Sequence, residues 1–229
     1  MTVVVLLGAP GAGKGTQADI LAERLGAPHV ATGDLFRSAA RDGSPIGLEA
    51  RRFMERGQLV PDDITIRMLL DRLTRPDAGD GVILDGFPRN RAQAEALDAA
   101  LAERGSAVDR AISIEVPLAE LVRRLSGRWV CREAGHVYNE TTNPPREPGR
   151  CDLDGSPLIQ RDDDKAATIR ARLDLQLASL RDVIDFYDDA GALRRVDGVQ
   201  DIEAVTGDLL RAIVGEDATS GDGTVGATW

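Results

Sequence analysis

Lys14 stands at the end of a glycine-rich run, GAPGAGKGTQ (Gly8 to Gln17), that follows the apolar stretch VVVLL. Glycines let backbone N–H groups converge on phosphate oxygens, and a following helix adds the positive end of its dipole. The lysine then supplies a point charge near the β and γ phosphates. The common form of this loop has Ser or Thr directly after the lysine, where the hydroxyl meets magnesium. Here Gly15 takes that place and the threonine comes one residue later, at Thr16. Mg2+ is then expected to be held largely through water and nucleotide phosphates, which suits its reluctance to dehydrate.

Asp85 closes a second apolar run, VILD, and is followed by GFPRNRAQ. A carboxylate at the C-terminal end of a parallel strand lies where α/β sheets collect their ligands. There it can orient the waters of a magnesium ion; the competing reading is a helix-capping aspartate. Arg37, Arg89, Arg124, Arg128, Arg161 and Arg172 fall at element ends or at the borders of a loop-rich region. Phosphoryl transfer asks a protein for positioning and charge stabilisation more than covalent chemistry, and the guanidinium fork suits phosphate oxygens. Taken singly, each of these arginines reads as a solvated surface residue.

The elements that must hold these groups follow from periodicity. Val3 to Leu7 is all apolar, as expected of a parallel strand buried on both faces. Thr16 to Leu25 has helical spacing and ends at Gly26, a C-cap residue. Further apolar strands fall at Val82 to Asp85, Ala111 to Val116 and Leu193 to Val196, with helical segments between them. That alternation implies a parallel sheet with helices on both faces.

Two regions break the rhythm. Between Thr32 and Val60 the pattern gives two short helices and no strand: Asp34 is expected to cap the first, which Gly43 ends, and Ser44-Pro45 opens a second that stops at Gly57. From Gly127 to about Asp164 the helical period vanishes in a stretch dense in Gly, Pro, Asn and Asp. A structureless loop of that length is unlikely in a compact domain, so a small β-rich lid is expected. Helix returns with Ile169, Leu173, Leu177, Leu180 and Ile184. The residues after Gly215 have little to bury and read as a disordered tail.

The chain has 229 residues, 42% of them hydrophobic and 29% charged, enough for one sizeable core. No apolar stretch approaches the roughly 20 residues of a membrane span. The N-terminus reads as a core strand, not a secretory signal, and two cysteines make no disulfide framework, so the cytoplasm is the expected location. A net charge of −10 argues against nucleic acid and anionic membranes as partners. Arginines that bind phosphate must therefore be gathered locally.

Taken in order, GAPGAGKGTQ, TGDLFR, GQLVPDD, LDGFPRNRAQ, SGRWVCREAGHVY and QRDDDKAATIRARL resemble the signature blocks of adenylate kinases, in the long bacterial form with a full lid. The resemblance runs from Val3 to about Val214. It implies an α/β fold: a P-loop parallel five-stranded sheet with helices on both faces, a helical AMP-binding insertion and a small β-rich lid. Residues 1–31, 61–126 and 165–215 would form the core, 32–60 the insertion, 127–164 the lid and 216–229 the tail. The implied reaction moves the terminal phosphoryl of ATP to AMP, reversibly, giving two ADP, in a monomer whose insertion and lid close over the nucleotides.

By the same resemblance, Gly11, Ala12, Gly13, Lys14, Gly15 and Thr16 hold the ATP phosphates. Val137, Tyr138 and the backbone at Gln200 touch its adenosine. Thr32, Arg37, the backbone of Gln58, Leu59 and Val60, then Gly86, Phe87, Pro88, Arg89 and Gln93 form the AMP site. Arg124, Arg128, Arg161 and Arg172 converge on the transferred group, with Arg161 and Arg172 also facing AMP. Asp85, Asp163 and Asp164 support magnesium or hold lid arginines. Gln93 has a competing reading, since three residues after Asn90 it can close a capping box. A nucleotide switch is a rival function, but the sequence has no Asn-Lys-x-Asp base-reading segment. A kinase for another acceptor is the nearer rival.

The lid departs from the pattern. Many long adenylate kinases carry zinc on Cys-x2-Cys followed by Cys-x2-Cys or Cys-x2-Asp. Here Cys131, Cys151 and Asp154 fit, but Ala134 stands where the second cysteine belongs, and His136 follows two residues later. Cys131, His136, Cys151 and Asp154 would supply the four ligands of a tetrahedral structural Zn2+. Three alternatives stay open: a metal-free polar network, a disulfide, or zinc on three residues and water. The small lid has too little core to be stable without some staple.

Overall fold

The computed structural model describes residues 1–54, 60–160, 164 and 166–215, without the side chains of residues 166, 167, 171 and 172. Five parallel strands form the main sheet: β1 (Thr2–Leu7), β2 (His29–Ala31), β3 (Gly81–Asp85), β4 (Arg110–Glu115) and β8 (Leu193–Asp197), in the order β2-β3-β1-β4-β8. The helices between and around them are α1 (Lys14–Leu25), α2 (Thr32–Arg41), α3 (Pro45–Met54), α4 (Asp62–Arg72), α5 (Arg91–Ala102), α6 (Leu118–Ser126), α7 (Ala166–Asp189) and α8 (Ile202–Val214).

Alternation along β1 distributes the core. Val4 and Leu6 face one apolar cluster with Leu21 of α1, Leu125 of α6, Leu173 of α7 and Leu209 of α8. Val3, Val5 and Leu7 face the other, with Leu69 of α4, Leu97 of α5 and Tyr187 of α7. A strand buried on both sides has no polar face, which is why β1 reads as an unbroken apolar run. The α/β class and the five-stranded parallel sheet with helices on both faces are as expected.

The fifth strand, β2, is the one that periodicity misses: three residues, His-Val-Ala, carry no pattern. α1 begins at Lys14, two residues earlier than its apolar spacing suggests. Asp34 does not cap α2. The cap position is Ala31, with no side-chain bond, and Asp34 instead pairs with Arg37 inside the first turn. Ser44 does cap α3, its hydroxyl accepting from the Gly47 N–H at 3.1 Å. α2 and α3 pack with a small cluster of their own, Phe36, Ala50, Val60 and Ile64.

The loop-rich stretch is a separate antiparallel sheet, β6-β5-β7, made of β5 (Arg128–Cys131), β6 (Val137–Asn139) and β7 (Leu158–Ile159). The expected helix end at Gly57, the AMP contacts Gln58 and Leu59, Arg161, Asp163 and the tail at 216–229 lie outside the described residues, as does the side chain of Arg172.

Candidate functional site

A single cleft of about 1570 Å3 runs between the C-terminal ends of the sheet strands, the helical pair and the lid. The loop after β1 forms its floor. Gly8 takes φ 148°, and a Cβ there would stand 2.9 Å from the carbonyl oxygen of Ile114, so only glycine lets the loop cross β4 this closely. Lys14 Nζ donates to the carbonyls of Gly8 at 2.8 Å and Ala9 at 3.1 Å.

Position 15 faces Asp85: a Cβ on Gly15 would stand 3.5 Å from Asp85 Oδ2. The carboxylate thus lies beside the place where a common phosphate loop carries its hydroxyl. Asp85 is not a helix cap, since Asn90 caps the helix that follows. Burial pushes the Asp85 carboxyl up, but His29, Lys14 and Arg89 outweigh it and hold it below its ordinary value. His29 is a residue the sequence reading passed over. Its Nδ1 lies 2.7 Å from Asp19 Oδ1 and its Nε2 3.7 Å from Asp85 Oδ2, the latter a charge contact and too long for a hydrogen bond. Burial works against a charge on the ring, yet the two carboxylates push its pKa up to about 9. Its partners lie 10 and 56 residues away, and no spacing rule joins them.

On the other side of Asp85 a second polar group gathers. Thr32 Oγ1 donates to the Gly86 carbonyl at 2.9 Å, and Arg89 Nε donates to the same oxygen at 2.7 Å. The Arg89 N–H donates to Gln93 Oε1 at 2.8 Å, Gln93 Nε2 donates to Asp62 at 2.6 Å, and the Gln93 N–H donates to Asn90 Oδ1 at 2.9 Å. Gln93 therefore does cap-type work, although its oxygen takes the N–H of Arg89 where a capping box would take that of Asn90. Thr32, Phe87 and Gln93 are buried, while Gly86, Pro88, Arg89, Arg37 and Val60 line the cleft.

The remaining arginines come from α6 and the lid border. Arg124 donates through Nε to Glu120 and through Nη2 to the Gly198 carbonyl, both at 2.8 Å. Arg128 makes a two-pronged pair with fully buried Asp164, at 2.6 and 2.5 Å. Both line the cleft, as do Val137, Tyr138 and Gln200. The Tyr138 side chain is committed to the lid interior: its hydroxyl accepts from the Asp152 N–H at 2.8 Å and lies 3.4 Å from Cys151 Sγ. The Gln200 amide donates to Asp208 and to the Asp197 carbonyl, leaving its backbone as the part suited to read a ligand.

In the lid, one ligand atom each from Cys131, His136, Cys151 and Asp154 all lie within 4.8 Å of one another. Cys131 Sγ is 3.2 Å from Asp154 Oδ2, His136 Nδ1 is 3.2 Å from Cys151 Sγ and 3.8 Å from Asp154 Oδ2. With metal–ligand bonds near 2.0–2.3 Å, the edges of a tetrahedral zinc site run about 3.3–3.8 Å. The donor types, their number and these separations fit such a site. Both cysteines are free thiols. Ala134, in the missing cysteine's place, still contributes: its N–H donates to Cys131 Sγ at 3.3 Å.

Comparison with known proteins agrees with this geometry. The family model described as adenylate kinase matches residues 6–192. Curated relatives named adenylate kinase include one from Lysinibacillus sphaericus, 47% identical over 206 residues, covering 90% of this chain and 95% of that protein. Another, from Listeria monocytogenes, is 46% identical over 210 residues, 92% of this chain and 98% of the relative. A third, from Moorella thermoacetica, is 48% identical over 210 residues, with 92% and 97% covered. A match of this extent takes in the loop, the helical pair and the lid together, and the chain belongs to the adenylate kinase family of nucleoside-monophosphate kinases.

Proposed function

We propose that the chain transfers the terminal phosphoryl group of ATP to AMP, reversibly, to give two ADP, and so balances the adenine nucleotides. The observation that carries this reading is that two polar groups face one cleft across Asp85: the glycine loop with Lys14, and the Thr32–Gly86–Arg89 cluster. One suits the phosphates of a donor nucleotide and the other the phosphate of an acceptor. Family membership makes the donor ATP and the acceptor AMP.

In this reading the chain positions and neutralises. Loop N–H groups and Lys14 hold the donor phosphates, with Val137, Tyr138 and the Gln200 backbone at the adenosine. Arg37, Arg89, Val60 and the 86–88 backbone hold AMP, with Thr32 and Gln93 supporting that wall. Gln58, Leu59, Arg161 and Arg172 are assigned there by family resemblance alone. Arg124 and Arg128 carry the charge that develops on the moving group, where a forked donor matches phosphate oxygens. Mg2+ bound with ATP would neutralise phosphate charge, and Asp85, kept ionised by its cationic neighbours, would orient its waters. Closure of the helical pair and the lid keeps water from the donor. Cys131, His136, Cys151 and Asp154 would hold a structural Zn2+, whose part is to fasten the lid. The enzyme acts as a monomer on small molecules alone.

ATP consumption measured with AMP, UMP, CMP and no acceptor tests the assignment. Turnover should require AMP, and equal turnover with UMP or CMP would refute AMP selectivity. Arg89→Ala should lower kcat/KM by about 10^3–10^5, the range for an arginine that meets a transferring phosphoryl group. The fold should persist, because Arg89 belongs to a loop and packs in neither apolar cluster.

A further inference from the structure

Gln17 is a polar residue in an apolar joint. α1 packs on α8 within the cluster that holds Ala18, Leu21, Val205 and Leu209. At the cleft border of that joint stands Gln17, itself buried, beside fully buried Thr206. Gln17 Nε2 donates to the Ile202 carbonyl at 3.0 Å. The Thr206 hydroxyl lies 2.8 Å from Gln17 Oε1 and 2.8 Å from the same carbonyl. A carbonyl only accepts, so the amide can face it only with its nitrogen, while the hydroxyl proton serves the oxygen end. A paired buried amide adds little stability over an apolar side chain of similar size. What an apolar residue could not supply at position 17 is a fixed tie to Ile202, the first residue of α8.

That tie spans the donor side of the cleft. Gln17 follows Lys14 by three residues on the helix that extends from the glycine loop, and Ile202 follows directly on the loop of residues 198–201, which lines the cleft. This second loop is pinned on its far side to β4, where the Gly198 N–H donates to the Glu115 carbonyl at 2.9 Å. A further link between α1 and α8, the pair Arg24–Glu203, is 44% and 75% exposed and fixes little. We propose that Gln17 is a positioning residue for the base of the donor nucleotide: by holding the start of α8 against α1, it sets the distance between the loop that takes the phosphates and the loop that takes the adenosine. The inference rests on the reading that the Gln200 backbone meets adenosine. A donor that carries a base feels that distance, whereas a bare triphosphate, held by the glycine loop alone, does not. Gln17 acts through Ile202 and need not touch the nucleotide.

The test is initial-rate kinetics of the full chain with ATP and AMP, with inorganic tripolyphosphate as a competitor of ATP and melting temperatures recorded. Gln17→Leu should raise the KM for ATP about threefold to tenfold, the fold-change of one lost neutral hydrogen bond. The kcat, the KM for AMP and the Ki of tripolyphosphate should stay within about twofold. Gln17→Glu, whose carboxylate cannot donate to Ile202, should show the same selective loss. Thr206→Val should raise the KM for ATP in the same direction but less, and should add nothing in a Gln17→Leu background; Thr206→Ser, which keeps the hydroxyl, should match the wild type. An unchanged KM for ATP in Gln17→Leu would overturn the proposal. So would an equal rise in the Ki of tripolyphosphate, which would mean that Gln17 serves the glycine loop, or an equal rise in both KM values with a lower melting temperature, which would mean packing alone. Should Gln17→Leu not fold, Thr206→Val against Thr206→Ser decides by the same comparison. Tripolyphosphate held as tightly as ATP by the wild type would instead overturn the placement of adenosine at Gln200, and the role of Gln17 with it.

Discussion

The parallel-sheet core and the lid are held by opposite means. Around the five strands, apolar side chains fill both faces, from Val4, Leu6 and Ile112 on one side to Val5, Leu84 and Leu97 on the other. In the lid the buried cluster is Cys131, Tyr138, Cys151 and Leu158, with Trp129 packed against it. Two of those four are cysteines, and Tyr138 uses its hydroxyl on Cys151 and Asp152. The core can be stable by hydrophobic burial; three short strands whose buried aliphatic side chains are Val130 and Leu158 cannot. The lid therefore depends on its polar knot, and the knot has the donor set of a zinc site. The division suits the closure proposed above, in which the core would stay fixed while the lid moves.

The largest effect should come from breaking the core. Leu97 of α5 is fully buried between the sheet and α7. Leu97→Ala should cost about 2–5 kcal/mol of global stability, read as a lower denaturant midpoint. Leu158→Ala, the aliphatic counterpart in the lid, should shift that midpoint far less and loosen only the lid. Trp129 reports this directly, since its Nε1 donates to Glu140 at 2.7 Å within the lid; the reading should be made in a Trp229→Phe background. Equal global losses for the two substitutions would mean that the lid is part of the same cooperative unit.

The next effect lies in the lid itself. Protein purified without chelator should carry about one zinc per chain by elemental analysis. His136→Ala should lower the zinc content and reduce the melting temperature by about 2–8 °C, as a loss of roughly 1–2 kcal/mol does in a chain of this size. Nucleotide binding at the glycine loop should survive. Zinc-free protein with two titratable thiols would show that the Ser156, Asp154 and Tyr138 contacts to the cysteines hold the lid unaided.

How far the sequence discloses all this depends on the distance between partners. The glycine loop is legible because its spacing is local and its strand and helix are adjacent. The four lid ligands are legible in part, since Cys131, Cys151 and Asp154 keep a known spacing and His136 stands close by. Gln93 shows the limit. Its bond to Asn90 follows from a three-residue spacing, but its partner Asp62 is 31 residues away and on another helix. Ser156 beside Cys131, at 2.9 Å, leaves no mark in the pattern. Asp34 was misjudged as a cap for a related reason: an acidic residue near a helix start fits a cap or a first-turn position equally well, and the tertiary entry of the chain from β2 decides between them.

The core has polar staples of its own, and the one at His29 gives the smallest effect. His29 joins Asp19 on α1 to Asp85 at the end of β3, with 16% of its side chain exposed. Its folded pKa of about 9 lies above the ordinary 6.5, so the charged ring favours the folded state. That contribution is fully present below pH 6.5 and is lost as the pH rises through about 9. Asp19 is 75% exposed and well screened, and the Asp85 contact is long at 3.7 Å, so the loss should stay at or below about 1 kcal/mol, far under the full value of the shift. Denaturant midpoints of the wild type and His29→Gln at pH 6, 7.5 and 9.5 measure it. The wild type should lead at pH 6, and the gap should narrow toward pH 9.5, with lid fluorescence unchanged. A gap independent of pH would mean that His29 is neutral and serves only as a hydrogen-bond donor to Asp19. The core would then owe nothing to charge at this place, and its contrast with the lid would be sharper.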